Sequence, residues 1–211
     1  MKTDNLIAAL AADNRTEQPP RLFLWPALLL ALAVVVLVVR VTLGFRVDLL
    51  QSLGEPLAVM RFVLTAALGL LGVRLALMLA RPEGRSLARL WPVAVPAAVA
   101  LGLLVWAYVT TPADGRQMAL VGKTMVTCLV MIPLLSVLPV AAILVALRKG
   151  ATTTPALAGF AAGLGGGGLA AMAYAMHCIE DSPLFYVTWY GLAIGGVAAV
   201  STLIGARVLR W

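Results

Sequence analysis

Six runs of apolar residues, each long enough to cross a bilayer, decide most of what this chain can become. They cover roughly 22–43, 56–80, 90–109, 118–147, 155–176 and 184–206. Crossing about 30 Å of hydrocarbon at about 1.5 Å rise per residue takes about 20 residues. With 62% of its 211 residues hydrophobic and 12% charged, the chain has too little polar surface to fold in water. In lipid every backbone polar group must be satisfied internally, so such runs are helices. The sequence predicts an all-α polytopic membrane protein. Residues 21–211 form a six-transmembrane-helix bundle with short loops, and 1–20 form a small N-terminal segment with its linker. The spans leave no room for a soluble catalytic domain. The first run is too long for a signal-peptide core and no small-residue cleavage site follows it, so it is expected to be retained.

A net charge of +7 in a soluble protein would point to nucleic acid. Here the basic residues flank apolar runs, where they fix orientation and meet anionic lipid, so the partner they imply is the bilayer and direct nucleic-acid binding is not expected. Lys2, Arg15, Arg21, Arg81, Arg85, Arg89, Arg148, Lys149, Arg207 and Arg210 fall on one side of a six-span layout, and Arg40, Arg46 and Arg116 on the other. The positive-inside rule then puts both termini in the cytoplasm and the loop at 177–183 outside.

In the N-terminal segment, Thr3 or Asp4 can cap a short amphipathic helix that presents Leu6, Ile7 and Leu10 on one face. About ten residues of helix are marginal alone in water, so this face gains its stability from a groove on a partner or from a membrane surface. Thr16 to Arg21, with Pro19-Pro20, reads as the linker.

Within the spans, Arg61 and Arg74 lie near opposite ends of the second run, and snorkelling to the nearer interface accounts for both. Residues 110–117, with Pro112 and Asp114-Gly115, read as a loop, and the long fourth run carries Lys123, Cys128, Pro133 and Pro139. Gly159, Gly163 and Gly167 recur at four-residue spacing in the fifth run, as do Gly191 and Gly195 in the sixth. Small residues on one ridge allow close helix approach, and no strand or lysine frames the glycines as a phosphate loop.

The chemistry concentrates in one polar island, His177-Cys178-Ile179-Glu180-Asp181-Ser182-Pro183, between the last two runs. It holds the sole histidine, one of two cysteines and adjacent carboxylates. HExxH and GxSxG motifs are absent, so no enzyme activity is expected. Two readings of the thiols stand side by side. Cys128 and Cys178 are small apolar core residues, or they form a redox or soft-metal sensor for which His177, Glu180 and Asp181 supply nitrogen and oxygen ligands. Started at Met118, the fourth helix would place Cys128 about 15 Å below the rim at which Cys178 sits. No resident cofactor is implied, only a transient soft or transition metal ion at Cys128, Cys178 and His177. A small membrane transporter and a membrane thiol oxidoreductase are the competing functions; the first would carry polar residues deep in its spans and the second close-spaced thiols.

Taken together, the N-terminal Met-Lys-Thr-Asp-x-Leu-Ile-x-x-Leu-Ala, the six spans, the isolated cysteine in the fourth and the His-Cys-x-Glu-Asp-Ser-Pro-Leu-Phe junction resemble the NrsF family. Its members are integral anti-sigma factors of the bacterial inner membrane, partners of extracytoplasmic-function (ECF) sigma factors of the sigma-F type. The resemblance covers the whole chain and is most specific at 1–11 and 177–185. It implies that the cytoplasmic N-terminal segment, through Leu6, Ile7 and Leu10, holds the sigma factor at the membrane. It also implies that Cys128 and Cys178 are needed for its release under metal or oxidative stress.

Overall fold

The computed structural model describes residues 20–81 and 91–210, together with Thr3 and Ile7. Among these residues the fold is entirely helical, with six helical stretches long and apolar enough to cross a membrane. We label the helices α1 (Pro20–Val38), α2 (Pro56–Leu79), α3 (Trp91–Thr110), α4 (Ala113–Val121), α5 (Met125–Leu147), α6 (Pro155–Tyr174) and α7 (Pro183–Val208). Leu6 and Leu10 lie outside the described residues; Ile7 is helical and exposed.

The bundle is built around α6, which is buried along most of its length and packs against α2, α5 and α7. Its glycines explain how. A Cβ on Gly72 of α2 would come within 2.5 Å of the Gly165 backbone nitrogen, and one on Gly168 within 2.6 Å of the Gly69 nitrogen. On the opposite face, a Cβ on Gly163 would lie 2.5 Å from the Ala198 Cα of α7. These helices touch backbone to backbone, which is how association proceeds where lipid offers no hydrophobic drive. The second glycine ridge is a different matter. Added Cβ atoms at Gly191 and Gly195 would meet nothing within 4 Å. The ridge that α7 presents to α6 is instead Ala198, Ser201 and Gly205.

Helix α1 lays one narrow stripe, Leu24, Leu28, Ala31, Val35 and Val39, into the bundle and packs chiefly on α5. Its last turn, Val39–Leu43, widens until the Gly44 N–H reaches the Val39 carbonyl at 3.0 Å. Gly44 has φ +76°, a region that favours glycine, and there the chain leaves the helix. Helix α3 is peripheral, burying Pro96 and Ala107 against α2 and α7.

The fourth span departs from its expected form. Residues 113–121, read as mostly loop, form α4, and the chain breaks at Gly122 (φ +57°) before α5 begins at Met125. A side chain at Gly122 would meet both the Glu180 carboxylate and the Phe185 ring at 2.8 Å, so packing as well as backbone conformation demands glycine. From Met125 onward α5 runs unbroken through Pro133 and Pro139.

The two kinds of glycine make opposite demands on a substitution. Gly72→Val is expected to cost about 1–3 kcal/mol or more, because α6 backbone cannot yield as a side chain would. Gly195→Ala is expected to be neutral or stabilising by up to about 1 kcal/mol, the helix-propensity difference. Thermal unfolding of the two variants in one detergent checks both.

Candidate functional site

The polar island forms a strap, residues 175–182, that leaves α6 and returns to α7 across one end of the bundle. Six of its residues, Ala175, Met176, His177, Cys178, Glu180 and Asp181, are tied to three other elements. Two of those ties are arginines whose role sequence reasoning missed.

Arg61, in the second turn of α2, is 0% exposed. It does not snorkel. Its Nη1 donates to the Glu180 carbonyl at 2.6 Å, its Nη2 donates to the Ala175 carbonyl at 3.2 Å, and it pairs with Asp181 at 3.2 Å. A guanidinium pre-formed as a planar fork suits this task, since one side chain pins both ends of the strap. Arg46, in the loop after α1, is forked on both faces. Its Nε and Nη2 donate to Asp48 at 2.8 and 2.7 Å, and its Nη1 and Nη2 donate to Asp181 at 2.8 and 3.0 Å. Nη1 also reaches the Cys178 carbonyl at 3.3 Å, and the Arg46 N–H donates to Met176 at 3.1 Å. Its hydrogen bonds with Asp48 and Asp181 raise the Arg46 pKa further, and the Arg46 hydrogen bond holds Asp48 down to about 2, from an ordinary 3.8.

The remaining ties come from the break between α4 and α5 and from Gly44, where the chain leaves α1. Glu180 Oε1 accepts the Lys123 N–H at 2.7 Å. That bond satisfies a backbone donor freed where the helix stops, and it sets a carboxylate at the positive end of α5. His177 Nδ1 lies 2.9 Å from the Gly44 carbonyl, an acceptor only, so this nitrogen carries the proton and donates. Trp189 Nε1 donates to the Leu120 carbonyl at 2.7 Å and fastens α4 against α7.

Under the strap lie the thiols. Cys178 and Cys128 are both 0% exposed, both free, and both belong to one buried cluster with Tyr174 and Tyr190. Cys178 Sγ is 3.7 Å from Thr124 Oγ1, and the Cys128 N–H bonds the Thr124 carbonyl. Cys178 therefore sits beside the residue one turn ahead of Cys128. Because α5 starts at Met125, Cys128 lies about 4.5 Å of helix rise inside its end, not the 15 Å a start at Met118 would give. The chain break at Gly122 closes the gap.

The strap thus gathers the two thiols in one layer and distributes the other candidates elsewhere. His177 is turned to Gly44, Asp181 to the two arginines and Glu180 to α5. Among the described residues no three His, Cys, Asp or Glu side chains converge in a metal-binding group. Arg61 was findable by charge balance. In a six-span layout the start of α2 and the 177–183 loop share a side, and Glu180 and Asp181 needed cationic partners there.

Comparison with known proteins points in one direction. The sequence pattern described as NrsF, negative regulator of sigma F, matches residues 8–211. The chain is 36% identical to an anti-sigma-F factor NrsF of Caulobacter vibrioides strain NA1000 / CB15N over the full length of both. It is 34% identical, again over the full length of both, to a probable anti-sigma-F factor NrsF of Azospira oryzae strain ATCC BAA-33 / DSM 13638 / PS. No solved structure matches it.

Two outcomes follow from the clamp. Arg61→Met strands two strap carbonyls and removes one of the two arginines paired with Asp181, so Cys178 alkylation by a small maleimide in folded protein is expected to speed up at least tenfold. A depressed carboxylate pKa contributes stability that is complete above its unfolded value and lost as pH falls through the folded value. For Asp48 that window runs from about 4 down to about 2. Thermal stability is therefore expected to owe nothing to Asp48 titration between pH 7 and 5, and Asp48→Asn is expected to flatten part of the decline below pH 4.

Proposed function

This chain belongs to the NrsF family, negative regulators of sigma F, and from that premise we propose how it holds and releases its partner. The family is a regulatory kind of protein, and an anti-sigma factor implies a sigma factor. In our reading the sigma factor is of the ECF type. It docks on the cytoplasmic N-terminal segment through the face made by Leu6, Ile7 and Leu10. The protein sits in the bacterial inner membrane with both termini in the cytoplasm, a placement supported by the lopsided distribution of basic residues. The strap then faces the periplasm.

The observation that carries the sensing half is the placement of Cys178 one turn from Cys128 beneath a strap held by Arg46 and Arg61. The thiolate is the reactive and ligating form. An oxidant that reaches the pair accepts two electrons as the S–S bond forms and two protons leave. A soft metal ion instead replaces thiol protons and bridges the sulfurs, and the Nδ1–H bond to Gly44 leaves Nε2 as the His177 nitrogen that can join them. Either event pulls Cys178 inward against a strap whose carbonyls and carboxylate are pinned to α2 and to the loop after α1. The strain passes to the ends of α5 and α6, and through the bundle to the cytoplasmic side.

The test has two arms. In membranes, a Leu6→Ala, Leu10→Ala double variant is expected to release the sigma factor constitutively while the protein stays at normal abundance, since a truncated buried leucine typically costs a few kcal/mol. Retention of the partner would remove the tail as the docking element. Cys128→Ser, Cys178→Ser and the double variant are expected to hold the sigma factor through cadmium or hypochlorite challenge. Unchanged release by the double variant would leave both cysteines as packing residues.

A further inference from the structure

Between α3, α4 and α7, at the strap end of the bundle, lies a cavity of about 520 Å³ that the clamp and the thiols do not use. Its inner wall is apolar, with Leu104 and Val105 about 8–9 Å of helix rise inside the end of α3. Its polar lining is Arg116 and Gln117 of α4 and Thr188 of α7. Arg116 stands at the boundary rather than inside the span. Its Nε donates at 3.0 Å to the carbonyl of Thr111, the residue that follows α3. A groove with a cation at the membrane boundary and apolar walls below it has the polarity of a phospholipid, head outward and chains inward.

The arginine is held but not used up. Its guanidinium stacks on the Tyr108 ring at 4.5 Å, which together with the Thr111 bond fixes the plane of the fork. Among the described residues no carboxylate pairs with it, and its Nη1 and Nη2 have no hydrogen-bond partner. Arg116 is half-buried, and neither Nη is among the buried atoms left unpartnered, so both remain open to a ligand. Arg46 and Arg61, at the same end, are spent in the clamp. A planar pair of N–H donors at a cavity mouth, with no acid to answer it, suits a phosphate oxygen pair. The Gln117 amide and the Thr188 hydroxyl likewise make no side-chain hydrogen bond within the protein and can donate to the same group.

We propose that this cavity binds an anionic phospholipid of the strap-side leaflet, of the phosphatidylglycerol class. Its phosphodiester accepts from Arg116 Nη1 and Nη2, and one acyl chain descends along Leu104 and Val105. The net negative head matters because Arg116 is otherwise an uncompensated cation. Trp189 fastens α4 to α7, and a lipid in the cavity fastens it to α3 as well. Helix α4 leads straight into the break at Gly122, so occupancy braces the segment that the strap caps through Lys123. The proposal stands apart from sigma-factor binding and thiol chemistry and survives or fails independently of both.

The experiment uses the full chain in phosphatidylcholine nanodiscs doped with a phosphatidylglycerol that carries a diazirine in one acyl chain, followed by irradiation and peptide mapping. Labelling is expected to concentrate on the 104–108 and 184–188 stretches. Dioleoylphosphatidylglycerol is expected to compete about fivefold better than dioleoylphosphatidylethanolamine. Gln117→Glu keeps the Arg116 contacts, sets a carboxylate in the cavity, and is expected to cut labelling about fivefold with thermal unfolding unchanged. Arg116→Gln is expected to cut it by at least as much. Labelling spread evenly over the lipid-facing helices, or unmoved by both variants, would overturn the site. Equal competition by phosphatidylethanolamine would overturn the anionic head, and displacement of the probe by inorganic phosphate would overturn a lipid as the source of the phosphate.

Discussion

A cation with no access to solvent has to be answered by its surroundings, and the hydrogen-bond and ion-pair partners of the Arg61 guanidinium all lie on the strap. The pair formed with Asp181 repays desolvation only because Nη1 and Nη2 also donate to the Glu180 and Ala175 carbonyls. The dependence is mutual. Those carbonyls belong to a stretch that is neither helix nor sheet, and irregular backbone at the membrane boundary is tolerated only when other parts of the protein satisfy it. Removing either side leaves the other with buried, unmet polar groups. This is why the island is ordered although it is short, polar and without secondary structure.

The second arginine widens the arrangement from a pair to a network. Arg46 shares Asp181 with Arg61 and takes Asp48 on its other face, so the loop after α1 is bound to the strap through one carboxylate. Side-chain networks of this kind fix geometry as well as contribute energy. Glu180 and His177 then tie the strap to the start of α5 and to Gly44. The result is a cover over Cys128 and Cys178 with each corner fastened to a different helix end. A thiol layer enclosed in this way is quiet at rest, because both sulfurs are buried and an oxidant must first displace the cover.

The fold and the site differed in how far the sequence revealed them. Six spans followed from apolar run length alone, since nothing but a helix satisfies a backbone in lipid. The roles of Gly159 and Gly163 were visible from spacing, whereas Gly191 and Gly195 carried the same spacing without a neighbour to serve. A ridge is a property of two helices, and one sequence shows only one of them. The break before α5 was invisible for a related reason. Gly122 needs to be glycine because Glu180 and Phe185 crowd it from 58 and 63 residues away. Arg61 was misread because proximity to a span end suggested an interface, when the decisive fact was a carboxylate on a distant loop.

That break also settles how a site at one end of the bundle can be connected to the rest of it. Had the fourth span run unbroken from α4, the Cys128 position would have been set by a continuous helix and lain well below the strap. Stopping the helix at Gly122 gives α5 a free N-terminus, and the Glu180 carboxylate occupies that terminus through the Lys123 N–H. The strap therefore touches α5 twice, electrostatically at its end and through Cys178 beside Thr124 one turn before Cys128. On its other flank the strap is continuous with α6, whose glycines lie against the backbones of α2 and α7. Such contacts have no side chains to rearrange, so a shift imposed at the strap end of α6 cannot be absorbed locally by rotamer changes and moves the packed helices as units. The polar clamp and the glycine core thus perform complementary tasks: one sets the position of the thiol layer, and the other stiffens the bundle beneath it.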